Sequence, residues 1–183
     1  PVIVEHDSLT ALNEYLGSTG DSARIESVGN YGQIQRVMIH VVPDDPFLSQ
    51  DELPRELFRL LIDTALATPR CPLWLQEGLA ARARGTVAQS RDRQILQEAL
   101  AEDRLPNIED LLQMTVITSE VHRAACGAIV ESLLETTPRA LLSMRLQKIR
   151  DHGLEAFLRS GSELDTLHKL QQRWIGEIQN RRG

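Results

Sequence analysis

Two neighbouring stretches of the sequence decide how this chain folds: LPRELFRLLID at residues 53–63 and CPLWLQEGLAA at residues 71–81. In the first stretch apolar residues recur with the 3.6-residue period of an α-helix, and Pro54 is tolerated only in a first helical turn. We therefore predict a helix over residues 50–68. The second stretch predicts a helix over residues 73–84, so two helices follow each other closely in the middle of the chain.

The segment before these helices has a different pattern. Strands are predicted over residues 1–5, 24–28 and 34–42. Between the first two strands a short helix begins at Asp7 or Ser8 and ends at Gly17. Ser49 and Glu52 then stand at the spacing of a capping box for the helix that begins near residue 50.

The segment after them has a helical period almost throughout. Helices are predicted over residues 90–102, over a short run capped by Asn107, over 119–135, from Thr137 to a break at Gly153, and over 162–181. No repeat or linker interrupts the chain. We therefore expect one domain over residues 1–183, of the α+β class and predominantly helical, with a small N-terminal strand region and a helical C-terminal half.

Composition excludes several classes of function. Lys and Arg number 20 against 26 Asp and Glu, and aromatic residues make up 4%, so neither a phosphate-binding nor a base-stacking surface for nucleic acid is expected. No apolar run approaches the roughly 18–20 residues of a membrane span. The chain begins with Pro1, and we expect a mature chain or an excised domain. Cys71 and Cys126 form one disulfide or remain two buried thiols.

The stretch from Pro72 to Ala80 resembles a motif of gluzincin-type metallopeptidases, in the peptidase-MA-like group found in many bacterial secreted proteins. In that group one helix carries His-Glu-x-x-His, and a second carries Pro-x-Trp-Leu-x-Glu-Gly-Leu-Ala. Pro72, Trp74 and Glu77 fit the second pattern here, as do Leu75, Gly78, Leu79 and Ala80. The resemblance implies a zincin-like fold in which helix 50–68 packs on helix 73–84, and an extracytoplasmic location.

The first half of the pattern differs in this chain. Arg55 and Arg59 occupy the positions of the two zinc-binding histidines, while Glu56 keeps the position of the catalytic glutamate and Glu77 that of the third ligand. A guanidinium stays protonated and offers no lone pair to a metal. We therefore expect no zinc site and no other cofactor.

Without a metal, the chain should lack the activity of a zinc peptidase. Bound zinc lowers the pKa of water from about 15.7 to about 7, which corresponds to about 12 kcal/mol of nucleophile activation. A general base alone, which Glu56 could still be, contributes about 10²–10⁴-fold. As a peptidase of this mechanism the chain should be inactive, and Glu56 is a vestigial residue.

Arginine at the two former ligand positions suggests a replacement for the metal. Without a cation, Glu56 and Glu77 would leave negative charge buried between two helices, which is costly. Arg55 and Arg59 lie one turn apart on the same face, so both could bind Glu77. Our hypothesis is that an Arg–Glu cluster joins the two helices, and the alternative is that all these side chains are solvated.

The remaining candidate residues are few. The cleft implied by the resemblance is lined by Arg55, Glu56, Arg59, Trp74, Glu77 and His122. The five histidines form no i, i+3 or i, i+4 pair that would bind a metal locally; they are His6, His40, His122, His152 and His168. Of these, only His122 is a cleft candidate, and it could equally be a surface residue at a helix end.

These patterns lead to two functional predictions. The first is a catalytically inactive metallopeptidase-like domain that binds a peptide or another domain, as an interaction or scaffolding module of a larger extracytoplasmic bacterial protein. The alternative is a hydrolase of another mechanism, or one with a non-standard metal site that uses Glu56 and Glu77. A third reading is a helical interaction module whose match at residues 72–80 is accidental.

Overall fold

The computed structural model describes residues 2–17, 22–30, 33–65, 71–117, 119–135, 139–159 and 166–180. The strands are β1 (Val2–Glu5), β2 (Ala23–Asn30) and β3 (Gln33–Val41). The helices are α1 (Leu9–Leu16), α2 (Leu53–Ala65), α3 (Leu73–Ala81), α4 (Thr86–Ala101), α5 (Ile108–Gln113), α6 (Glu120–Glu135), α7 (Leu142–Arg159) and α8 (Leu167–Asn180). This order confirms the predominantly helical α+β class, with the strands at the N-terminal end.

The three strands form one sheet in the order β1-β3-β2. β1 runs parallel to β3, with Val4 opposite His40, and β2 runs antiparallel to β3, with Ala23 opposite Val41. The sheet therefore has β3 at its centre, and β2 forms the outer edge against which α2 packs.

Side-chain caps fix several helix ends where the sequence predicted them. Ser8 Oγ accepts a hydrogen bond from Ala11 N–H at the start of α1, and Gly17 ends that helix with a φ of +62°. Asn107 Oδ1 accepts from Asp110 N–H at the start of α5. Gly153, with a φ of +82°, breaks the helical geometry inside α7. The predicted opening of α7 at Thr137 lies outside the described residues.

The predicted capping box before α2 is wrong. A π-helical turn over Leu48–Glu52 precedes α2, and Ser49 makes no cap there. The N–H groups of Asp51 and Glu52 both donate to the carbonyl of Phe47, which gives the wide turn. The Glu52 side chain bonds forward to Arg55 instead of reaching back.

The core is built around α3. Eight of its nine residues are buried, as expected for a helix that has neighbours on all sides. Helix α6 packs against it so closely that a Cβ at Gly78 would lie 2.4 Å from the carbonyl oxygen of Cys126. Glycine is therefore required at position 78 by the approach of the α6 backbone.

The structure also bears on the expectations for the two cysteines and for a membrane span. Cys71 and Cys126 are two buried thiols that form no disulfide with each other, which settles the alternative left open by the sequence. Within the described ranges, every helix is too short or too polar to cross a membrane.

Candidate functional site

The two helices singled out by the sequence pack against each other and bring three charged side chains together. Glu56 and Arg59 lie three residues apart on α2, and Glu77 lies on α3. Arg59 Nε is 3.3 Å from Glu77 Oε1, and Arg59 Nη1 donates to Glu56 Oε1 at 3.0 Å. One guanidinium thus bridges the two carboxylates that the resemblance assigns to a metal site.

Arg55 is placed differently from Arg59. Its Nη2 donates to Glu52 Oε2 at 2.8 Å and lies 3.6 Å from Glu56 Oε1. Both of these partners belong to its own helical segment, whereas the contact with Glu77 is made by Arg59, so the expectation that Arg55 also binds Glu77 is wrong. The physical reason is local, because Glu52 stands at i, i+3 from Arg55 and reaches it without bridging two helices.

Glu56 also contacts the sheet. Its Oε2 accepts a hydrogen bond from the backbone N–H of Ile25 at 3.3 Å. Ile25 lies on β2, which is an edge strand of the sheet formed by the described residues, so its outward N–H needs another acceptor. Glu56 supplies it, and both of its carboxylate oxygens are therefore occupied.

The Arg–Glu cluster (Glu52, Arg55, Glu56, Arg59 and Glu77) is largely closed to solvent. Arg55, Glu56 and Glu77 are each at most 3% exposed, and the Arg59 side chain is 22% exposed. Buried charges are tolerated when they are paired and hydrogen-bonded. A substrate could reach these carboxylates only if α2 and α3 moved apart.

The two other predicted cleft residues lie in different surroundings. Trp74 is 3% exposed and belongs to the hydrophobic core. His122 is half-buried in the first turn of α6, where its backbone N–H donates to Ser119 Oγ at 3.2 Å. The Trp74 indole thus contributes to packing, and Ser119 caps α6.

Cys126 on α6 adjoins the cluster through Glu77. Burial, together with the nearby Glu77 carboxylate, raises the pKa of the Cys126 thiol to about 12. Only a thiolate is a strong nucleophile, so Cys126 is a packing residue at neutral pH.

The residues present do not fit a zinc ion. Within the described ranges, no three His, Cys, Asp or Glu side chains lie close enough to hold one metal. The two positions that the resemblance matches to histidines carry guanidiniums, and Arg59 already binds both carboxylates. A metal cation bound here would have to displace the Arg59 guanidinium from both carboxylates. The charge of Arg59 would then lose these two partners.

The protein has a second buried charge network, which the sequence did not predict. Arg84, just after α3, donates through Nη2 to Asp51 Oδ2 at 2.8 Å and through Nη1 to Asp92 Oδ2 at 2.6 Å. Its Nε also donates to Asp51. The network ties the π-helical turn to α4, and Gly85 N–H donates to the carbonyl of Gln50 beside it. Its members are 33 and 8 residues apart, so no local spacing could reveal it.

Two histidines without a local partner meet across the sheet. His6 Nε2 lies 3.1 Å from His40 Nδ1, and His40 Nε2 lies 3.4 Å from Glu26 Oε2. His40 is fully buried, and the Tyr15 ring packs against both imidazoles. The parallel pairing of β1 with β3 produces this contact, since Val4 faces His40 and His6 follows two residues later.

Comparison with known proteins adds no relative. The chain matches no protein-family model, no curated protein and no solved structure. The functional interpretation therefore depends on the geometry of the cluster and on the sequence motif.

Proposed function

We propose that the chain is a non-catalytic metallopeptidase-like domain that serves as an interaction or scaffolding module of a larger extracytoplasmic bacterial protein. The observation that carries the proposal is the bridge from Arg59 to both Glu56 and Glu77. The guanidinium lies between the two carboxylates, where a gluzincin would hold its metal. It supplies positive charge and joins the helices, but it cannot activate water.

The state of Glu56 also favours a structural role. A general base must reach the proton that it removes. Glu56 is 3% exposed, and its two oxygens accept from Arg59 and from the backbone of Ile25. Its carboxylate therefore joins α2 to β2, and it also binds the Arg59 guanidinium that contacts α3.

A domain without the metal still has a surface that a partner can bind, and α2 contributes apolar side chains to it. Leu57 and Leu61, one turn apart on α2, are 39% and 61% exposed. Exposed apolar side chains gain free energy when a partner covers them. The partner in this proposal is a peptide or another protein domain, as the sequence predicted.

The alternative, a hydrolase with a metal held by Glu56 and Glu77, requires both carboxylates to exchange Arg59 for the metal. Elemental analysis of the purified chain, after dialysis against zinc, separates the two. The pseudoenzyme retains no stoichiometric metal and does not cleave peptide substrates when zinc is added. Stoichiometric zinc that is lost in Glu77→Gln would establish the alternative.

A gain-of-site experiment tests the metallopeptidase-like geometry itself. In the double variant Arg55→His/Arg59→His, two imidazoles one turn apart on α2, together with Glu77, would restore the three-ligand set that the resemblance implies. We expect this variant to bind one zinc ion, as measured by competition with a chromophoric chelator. Each single variant should bind much more weakly. Failure of the double variant to bind zinc, while it remains folded by circular dichroism, would contradict the proposed kinship.

A further inference from the structure

The contact between His6 and His40 connects the three strands with α1. His6 follows β1 and His40 lies on β3, and His6 Nε2 is 3.1 Å from His40 Nδ1. Glu26 on β2 places its Oε2 3.4 Å from His40 Nε2. The Tyr15 ring of α1 has its centroid 5.5 Å from that of His6 and 5.0 Å from that of His40. None of these residues belongs to the Arg–Glu cluster, so the contact is a separate feature.

This contact limits the number of protons that the two imidazoles can hold. A hydrogen bond between two ring nitrogens needs one donor and one acceptor, so only one of the two facing nitrogens carries a proton. The pair in contact therefore holds at most three ring N–H protons, whereas the separated rings can hold four. Because the separated state binds the additional proton, a fall in pH favours separation. Histidine in water titrates at about pH 6.5, so mild acid is sufficient.

The charges of β2 compensate one added proton but not two. The Glu26 carboxylate lies beside His40 and can balance the charge of a first imidazolium. Arg24 stands directly opposite His40 in the register of β2 with β3, so it adds positive charge on the same face of the sheet. A second imidazolium would therefore meet a protonated imidazole and a guanidinium, with one carboxylate shared among them.

The other neighbouring elements do not change this balance. From α1, Tyr15 faces both rings, and a phenol carries no charge in mild acid. Glu5 on β1 alternates with Val4 and His6, so it lies on the opposite face of the sheet. On α2, Glu56 is already bound by Arg59 and by the backbone of Ile25. None of these three acidic or phenolic side chains supplies a negative charge to a second imidazolium.

The elements on either side of His6 are weakly attached to the fold. Leu12 is the buried residue of α1, and Tyr15 is 61% exposed. β1 is four residues long, with Val2 and Ile3 both exposed. Elements that bury few apolar side chains open at a low cost in free energy. The loss of one contact can therefore detach β1 and α1 while the helical core stays folded.

We propose that His6 and His40 form an acid-sensitive switch, which holds β1 and α1 on the sheet at neutral pH and releases them in mild acid. Protonation of both rings places two N–H groups and two positive charges against each other. His6 is half-buried and moves toward solvent, whereas His40 is fully buried. The backbone bond from His6 N–H to Val41 O is then lost, and β1 separates from β3. Release exposes the edge of β3 and the side chain of Leu12, where a partner can bind.

The experiment measures amide hydrogen exchange by NMR at about pH 7.5 and about pH 5.0. Rates are expressed as protection factors, so that the intrinsic effect of pH on exchange cancels. The amides of β1 and of His6 report the switch, and those of α6 are the internal reference. Protection in β1 should fall about tenfold or more in acid, because the released state gains up to about tenfold for each pH unit. It should return at neutral pH, and protection in α6 should change much less.

Two variants locate the switch at the histidine pair. The side-chain amide introduced by His6→Gln can still donate to His40 Nδ1, but it does not titrate. We therefore expect β1 to stay protected at both pH values in this variant. The matched control is His168→Gln, the same substitution at an exposed histidine of α8, and it should behave as the parent.

Three results would overturn the proposal. These are unchanged protection of β1 in the parent at the lower pH, the same loss in His6→Gln as in the parent, and an equal loss in α6, which would indicate general unfolding in acid. If His6→Gln does not fold, the contrast between β1 and α6 in the parent and in His168→Gln decides. None of these measurements involves zinc, so the switch and the proposed function can fail independently.

Discussion

The Nε atom of Arg59 lies 3.3 Å from Oε1 of Glu77, and this contact joins α2 to the most buried helix of the fold. The same guanidinium binds Glu56, which in turn accepts the N–H of Ile25 in β2. A continuous chain of polar contacts therefore runs from α3 through α2 to the sheet. The positions that the motif resemblance matches to catalytic residues of metallopeptidases thus hold these three elements together.

Replacement of Arg59 should destabilise the protein strongly. Arg59→Met leaves the Glu77 carboxylate buried without this cation, and breaking such a pair costs about 3 kcal/mol. Arg91→Met is the control, because Arg91 and Glu120 are both more than half exposed and such pairs contribute about 0–1 kcal/mol. Urea unfolding measures both variants, and equal losses would contradict the role assigned to Arg59.

The double variant Arg59→Met/Glu77→Met separates charge from packing. Replacing both members of a buried pair by apolar residues is often neutral. We therefore expect the double variant to recover much of the stability lost in Arg59→Met. Strictly additive losses in the same unfolding experiment would show that the two side chains are not coupled.

Gly78 should not tolerate a methyl group. A Cβ there would lie 2.4 Å from Cys126 O and 2.4 Å from Val130 Cγ2, so α3 and α6 would have to separate. Gly78→Ala should cost roughly 1–3 kcal/mol through overpacking. Gly176→Ala, where nothing lies within 4 Å, should instead leave stability unchanged or raise it, since alanine favours the helix. Thermal unfolding of the pair checks the contrast.

The Cys126 thiol gives the protein a sensitivity to alkaline pH. Its pKa is raised from 9.0 to about 12 in the folded protein, so above pH 9 the unfolded chain releases a proton that the folded chain retains. The unfolding free energy should therefore fall by about 1.4 kcal/mol between about pH 8 and about pH 10, relative to Cys126→Ala. Parallel pH profiles of the two proteins would contradict this.

The same burial should protect the thiols from reagents. In the native protein at neutral pH, neither Cys71 nor Cys126 should react with a thiol-specific dye, because both are buried. Both should react after denaturation in urea. Rapid labelling of Cys126 in the native state would contradict its assignment as a packing residue.

Asp92 should give the protein a second pH dependence of stability, in the acidic range. Burial raises the pKa of its carboxyl above 3.8, although Arg84 opposes the shift. The folded state thus binds its proton more tightly than the unfolded state, and the contribution of Asp92 to stability is largest below pH 3.8 and declines as pH rises through the folded pKa. Asp92→Asn should lack this decline when unfolding is followed across the acidic range.

Asp151 supplies a control of opposite sign. The hydrogen bond from Arg150 lowers the pKa of its carboxyl, so its contribution is present above pH 3.8 and is lost as the pH falls. Comparison of Asp92→Asn with Asp151→Asn under the same conditions should show pH dependences of opposite direction. The same direction in both would contradict the assigned causes.

The sequence by itself determined the local structure. Apolar periodicity located the helices, and Ser8, Gly17, Asn107 and Gly153 acted at the predicted positions, because caps and glycine breaks depend on residues a few positions apart. It also predicted the contact between Arg59 and Glu77. That prediction came from the motif resemblance, which placed two separate helices side by side.

Only the tertiary structure decided which partners the other charged and polar side chains bind. Arg55 and Arg59 look equivalent in the sequence, yet Arg59 reaches α3 and Arg55 pairs with Glu52 and Glu56. The bond from Ile25 to Glu56, the Arg84 network and the His6–His40 contact join residues 31, 33 and 34 positions apart. The energy of such contacts depends on distance and burial in the folded chain, and neither is encoded in local spacing.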